Sequence, residues 1–169
     1  GASNKISGSA IFNAPISLVD ESSELHLGLF CKLTKDIYLN GGKLVLLQDL
    51  YLQDDVEVIG PGIVDFNGFS LVLPRYSRPT STAPITYHEA NDVTYSVNTT
   101  ISTTVSWTGS TNNLRGSGGV ILTFTSNGAF AIGSGTKMYA HGVHIKGLGA
   151  TTGGRITFGN SNSMLHLSN

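Results

Sequence analysis

Apolar residues in this chain come in short bursts, most of them four or five positions long. Residues 24–33, ELHLGLFCKL, place Leu25, Leu27, Leu29, Cys31 and Leu33 at alternate positions, the period of a half-buried strand. KLVLL at 43–47 is almost wholly apolar, and DLYLQ, VEVIG, GIVDF and FSLVL follow it closely. VTYSV and TTVSW alternate again, and VILTF, AFAI, KMYA, VHIKG, RITF and MLHL fill the last third. Each burst is bounded by Gly, Asn, Asp, Ser or Pro, as strands between tight turns are. The best helix candidate, SLVDESSEL at 17–25, has Ser17 to cap it and Glu21 near its start. It is too short to stand alone and is expected to be a small cap over a sheet end.

Hairpins with one wet face would alternate more strictly than KLVLL does. Short, apolar-rich strands at even spacing instead predict coils of a solenoid, each strand stacked on its equivalent in the next coil. A repeat supports this. Gly118-Gly119 and Gly153-Gly154 stand 35 residues apart, as do Ser126-Asn127 and Ser161-Asn162, and Gly41-Gly42 opens a similar unit. Against this regular body, 75–92 and 106–119 read as loop excursions, and 1–23 as a capping or donated segment. The whole chain, 1–169, reads as a single domain.

The stretch GPGIVDFNGFSLVL, with Gly60, Gly62, Ile63, Val64, Asp65, Asn67, Gly68, Leu71 and Leu73, resembles a coil of the right-handed parallel β-helix group, the pectate-lyase-like solenoids. The resemblance spans 40–74 and, more loosely, 118–169. It concerns fold, and fold does not supply function. It implies an all-β chain, a short right-handed parallel β-helix. The alternative fold is an antiparallel β-sandwich, favoured by the alternation in 24–33 and 93–107. Gly60, Gly62, Asn67 and Gly68 are the expected structural turns, because Asn-Gly accepts the positive φ of a tight corner.

Composition narrows the function classes. Charged residues are only 12% of the 169 and the net charge is −1, so nothing favours nucleic acid or an acidic membrane surface. No apolar run has membrane-spanning length, so no membrane insertion is expected. One cysteine, Cys31, excludes an internal disulfide framework; it is expected to be a buried structural thiol. The Ser/Thr/Asn/Gly-rich, charge-poor composition points to an extracellular or cell-surface setting, and Asn98-Thr-Thr matches a glycosylation acceptor.

Candidate chemistry is sparse. Asp49, Asp54, Asp55 and Asp65 lie close in sequence and raise calcium as an alternative, but their spacing matches no metal loop. Turn and strand-end roles are expected for them, and no cofactor or metal. Glu89 beside His88 is the acid best placed for chemistry, with no paired carboxylate. Arg75, Tyr76 and Arg78 could clasp a sugar acid, and Trp107 could stack on a sugar ring or belong to the core. His141 and His144, three apart, fall on opposite faces of a straight strand. His26, between two leucines, is expected to face solvent. MLHLSN finishes on a strand unit without a polar cap, which predicts end-to-end self-association. The expectation is therefore a non-enzymatic extracellular structural or adhesive surface protein, a self-associating filament subunit. The alternatives are a carbohydrate-active lyase or hydrolase fragment, implied by the resemblance alone, or a glycan-binding spike module.

Overall fold

A computed structural model describes residues 3–6, 10–28, 31–73, 83–148 and 154–169. No helix occurs among them. The chain winds in successive coils. The first holds β1 (Ser3–Ile6), β2 (Ala10–Phe12) and β3 (Ile16–Ser17), and the second β4 (Glu24–Leu27), β5 (Cys31–Leu33) and β6 (Ile37–Tyr38). Next come β7 (Lys43–Leu46), β8 (Leu50–Tyr51) and β9 (Val58–Ile59), then β10 (Gly62–Asp65) and β11 (Ser70–Val72). β12 (Ile85–His88), β13 (Asp92–Tyr95) and β14 (Thr99–Ile101) make the following coil. β15 (Thr104–Thr108) leads into the long β16 (Thr111–Phe124), and β17 (Ala129–Ile132) into β18 (Lys137–Gly147). β19 (Arg155–Phe158) and β20 (Met164–Ser168) come last.

Strands at equivalent points of successive coils pair in parallel. β1, β4, β7, β10, β12, β15, β17 and β19 form one eight-stranded sheet, and β8, β11, β13, β16, β18 and β20 run in order along a second, with β14 joining it through β16. β2 pairs with β5, and β3, β6 and β9 form a third side. This is a parallel β-solenoid. Every strand pair among the described residues is parallel, which excludes the antiparallel sandwich.

Stacking puts like on like. In the first sheet Leu25, Leu44, Val64, Tyr87, Trp107, Ile132 and Phe158 stand in one inward ladder. Across the core, Leu50, Leu71, Val93, Leu114, Ala140 and Leu167 form another. Each fully buried aliphatic or phenyl side chain contributes about 1.5–3 kcal/mol. An aromatic spine runs through the middle: Phe66 meets Tyr87 at 5.6 Å between ring centres, Tyr87 meets Trp107 at 5.1 Å, and Trp107 meets Phe130 at 5.6 Å. Polar corners tie one coil to the last. Asn40 Nδ2 donates to Leu18 O at 2.7 Å, and Asn113 Nδ2 to Asn91 O at 2.8 Å. The buried Asn112 accepts from Ala90 N at 2.8 Å and donates to Thr108 O at 2.9 Å.

Several expectations are corrected. The coil is not 35 residues long: Glu24 pairs with Lys43, nineteen residues on, and Ala129 with Arg155, twenty-six on. The Gly-Gly pairs fall at different corners, Gly118-Gly119 inside β16 and Gly154 just before β19. Residues 24–33 are not one strand: β4 and β5 lie in different sheets, and Leu29 is outside the described residues. The 17–25 helix is a turn at Asp20–Ser22, where the Asp20 carboxylate accepts from Ser22 N and Oγ. Within 1–23, β1, β2 and β3 pair in parallel with β4, β5 and β6 of the same chain. The stretch 106–119 is not a loop excursion but belongs to β15 and β16, because Trp107, Asn112 and Leu114 point inward between their polar neighbours. Within 75–92, residues 75–82 lie outside the described residues, and β12 and the start of β13 carry the rest.

Candidate functional site

Of the expected turn residues, Asn67 and Gly68 stand in a turn, Gly60 in a bend, and Gly62 is the first residue of β10. Asn67 (φ 48°) and Gly68 (φ 83°) make the turn between β10 and β11, closed by Phe69 N donating to Phe66 O at 2.8 Å. Gly62 (φ 154°) opens β10, where a Cβ would come within 2.5 Å of the Leu39 Cβ. A Cβ on Gly60 would meet the Pro84 carbonyl oxygen at 2.1 Å. Three of the aspartates serve turns or contacts between coils. Asp49 accepts from Ser70 N at 2.9 Å and Asp65 from Asn67 N at 3.2 Å, while Asp55 sits in a turn at φ 63°. Among the described residues no three His, Cys, Asp or Glu side chains gather as metal ligands. Glu89 takes a left-handed corner (φ 51°) and accepts from Ser110 Oγ at 3.3 Å; His88 instead bonds Thr108 Oγ1 through Nδ1 at 3.1 Å.

Arg75, Tyr76 and Arg78 lie outside the described residues. Trp107 is 1% exposed at the centre of the aromatic spine, so its indole offers no face to a sugar. Cys31 is half-buried, and burial pushes its thiol pKa up, away from the reactive thiolate. His141 and His144 are both exposed: Gly142 (φ 65°) bends β18 between them and resets the alternation that a straight strand would impose.

Three features bear on function, the first two of them not singled out in the sequence. One is a charged cluster on the outward face of the first sheet. Glu24 Oε1 lies 2.7 Å from His26 Nε2 and 3.4 Å from Lys43 Nζ, and Lys43 reaches Asp65 at 3.8 Å. Desolvation opposes ionisation of Glu24, but the hydrogen bonds from His26 and Lys43 outweigh it and hold the carboxyl below its ordinary range. Glu24 is therefore not set up as a proton donor near neutral pH. The readable signal was Glu24 and Lys43 one coil apart, but that needs the coil length.

The second is a trough of about 370 Å³ on the outward face of the second sheet. One wall is Asn113, Tyr139 and His166, the other Arg115, His141 and Ser168, each row following the strand register. Tyr139 and His166 rings lie 5.8 Å apart, and His141 Nδ1 bonds Ser168 Oγ at 3.1 Å. Arg115 pairs with Asp92, whose carboxyl is pushed up by burial against the lowering pull of that guanidinium.

The third is the last coil. Ile156, Phe158 and Leu167 continue the inward ladders yet are 40%, 52% and 57% exposed, with no strand stacked beyond them among the described residues. Their equivalents one coil earlier, Phe130, Ile132 and Ala140, are buried. At the other end Ile6, Phe12 and Ile16 of the first coil are half-buried above Leu27, Leu33 and Ile37. Comparison with protein-family models, with curated proteins and with solved structures returns no match to this chain.

Proposed function

We propose that this chain is a non-enzymatic structural module of an extracellular or cell-surface assembly and that its copies associate end to end. The observation carrying this reading is the apolar row Ile156, Phe158 and Leu167, about half exposed among the described residues. An edge of unpaired backbone beside open apolar core is a template for another strand. β19 and β1 close opposite ends of the same parallel sheet, so the next copy can add its β1 to β19 without reversing strand direction. Such a head-to-tail contact, stacked along the coil axis, extends into a filament unless its rotation closes a ring. The charge-poor, Ser/Thr/Asn/Gly-rich composition supports the extracellular setting.

Sedimentation over a dilution series, with electron microscopy of the same sample, tests the reading. Concentration-dependent assembly is expected, lost in Phe158→Lys and strengthened in Asn4→Leu, because Asn4 is an exposed polar residue at an inward position of β1. A wild-type monomer at all concentrations would sink it. A second reading, adhesion to glycans, is favoured by the trough, where Tyr139 offers a ring and Arg115, Asn113 and Ser168 offer polar partners. A glycan array comparing wild type with Tyr139→Ala tests it; identical profiles would remove the trough from consideration.

A further inference from the structure

Three Asn-Gly pairs occur in the chain, at 40–41, 67–68 and 127–128. Asparagine is a heat-labile residue, and before glycine its amide is open to attack by the next backbone nitrogen, because no Cβ blocks the approach. That attack requires a nitrogen whose N–H is not held by an acceptor. Gly41 N is held by Pro61 O at 2.6 Å, and Gly128 N by Thr125 O at 2.9 Å. Gly68 N donates to no acceptor among the described residues. The surroundings differ in the same sense. Asn40 Nδ2 is fixed by Ser17 Oγ at 2.9 Å and Leu18 O at 2.7 Å, and a Cβ on Gly128 would meet Ile101 O at 2.7 Å. Asn67 and Gly68 are exposed, nothing lies within 4 Å of a Cβ built on Gly68, and the Asn67 amide makes only a 3.4 Å contact with Leu46 O.

We infer that Asn67 is the modification site of this solenoid: the folded protein deamidates there ahead of Asn40 and Asn127. Gly68 N bonds to Asn67 Cγ and loses its proton, the Cγ–Nδ2 bond breaks, and ammonia leaves. Water then opens the cyclic imide at either carbonyl, leaving aspartate or isoaspartate at position 67. No oxidant or enzyme takes part. Either product replaces a donor facing the Leu46 carbonyl with a carboxylate, two residues from Asp65, whose Oδ1 accepts the Asn67 N–H. The link between these two coils is lost and like charge takes its place.

Trypsin separates the three pairs into peptides 36–43, 44–75 and 116–137, each holding one asparagine. Intact protein is aged in mildly alkaline buffer, digested, and the deamidated fraction of each peptide measured by mass spectrometry. A parallel sample is aged in guanidinium chloride. Deamidation of 44–75 is expected to run several-fold ahead of the other two in the folded sample and level with them in the unfolded one. Equal rates in the folded sample, a lead for 36–43 or 116–137, or no deamidation of 44–75 would each overturn the inference. Neither filament formation nor glycan binding enters the measurement.

Discussion

Replacing Trp107 with alanine tests whether the aromatic spine holds the coils together. The indole is 1% exposed, with Tyr87 at 5.1 Å on one side and Phe130 at 5.6 Å on the other. Removing a buried aromatic costs about 3–5 kcal/mol through lost transfer energy and the cavity left behind. The two ring contacts add about 0.5–1.5 kcal/mol each where the neighbours do not relax. One term works in the opposite direction. The Trp107 Nε1 is buried with no hydrogen-bond acceptor among the described residues, at a cost of about 1–3 kcal/mol in the native state. Trp107→Ala relieves that penalty as well, so the lower part of the range is expected, about 3 kcal/mol. Trp107→Phe keeps most of the spine and removes the unpaired N–H, so it should cost less than about 1.5 kcal/mol. Phe158→Ala, half exposed at the open end, should cost about 1–2 kcal/mol in the monomer. Urea unfolding by far-ultraviolet circular dichroism reads all three on one scale, with the slope checked because coil stacks can lose cooperativity. A Trp107→Ala loss no larger than that of Phe158→Ala, or a Trp107→Phe loss equal to Trp107→Ala, would refute the reasoning. Trp107 is also the only tryptophan, so blue-shifted emission resistant to iodide is expected from the wild type.

Asn112→Leu strands the Ala90 N–H inside a corner, while the Thr108 carbonyl keeps the Glu89 N–H, and should cost about 1–3 kcal/mol by urea unfolding; a loss below about 1 kcal/mol would show that the bridge is dispensable. The Tyr87 and Tyr95 phenols are held well above their ordinary range, first by burial and then by Glu57 near Tyr87 and by Tyr87 near Tyr95. The unfolded chain releases these protons from about pH 10, before the folded one does, so stability is full below that pH and falls as pH rises through it. Absorbance titration should show two of the six tyrosines ionising only as the protein unfolds, and ionisation of all six in the native state would contradict this.

The alternation of apolar and polar residues determined by itself that this chain is built from short strands. The apolar-throughout KLVLL determined that they are buried in stacks, and Asn67-Gly68 marked a corner from sequence alone because few other pairs accept two successive positive φ angles. Period-two alternation, however, says only which residues share a face and not where a strand stops. A change of sheet inside 24–33 therefore went unread, and Gly142 brought His141 and His144 to exposed positions against the rule for a straight strand. Coil length was beyond reach for a similar reason. Register is set by which buried side chains stack across coils, and that placed Trp107 between Tyr87 and Ile132 and brought Glu24, Lys43 and Asp65 together from three coils. Exposure of Phe158 is also a tertiary fact: it stands in the same ladder as Trp107 and Ile132, but among the described residues no strand stacks on its other side.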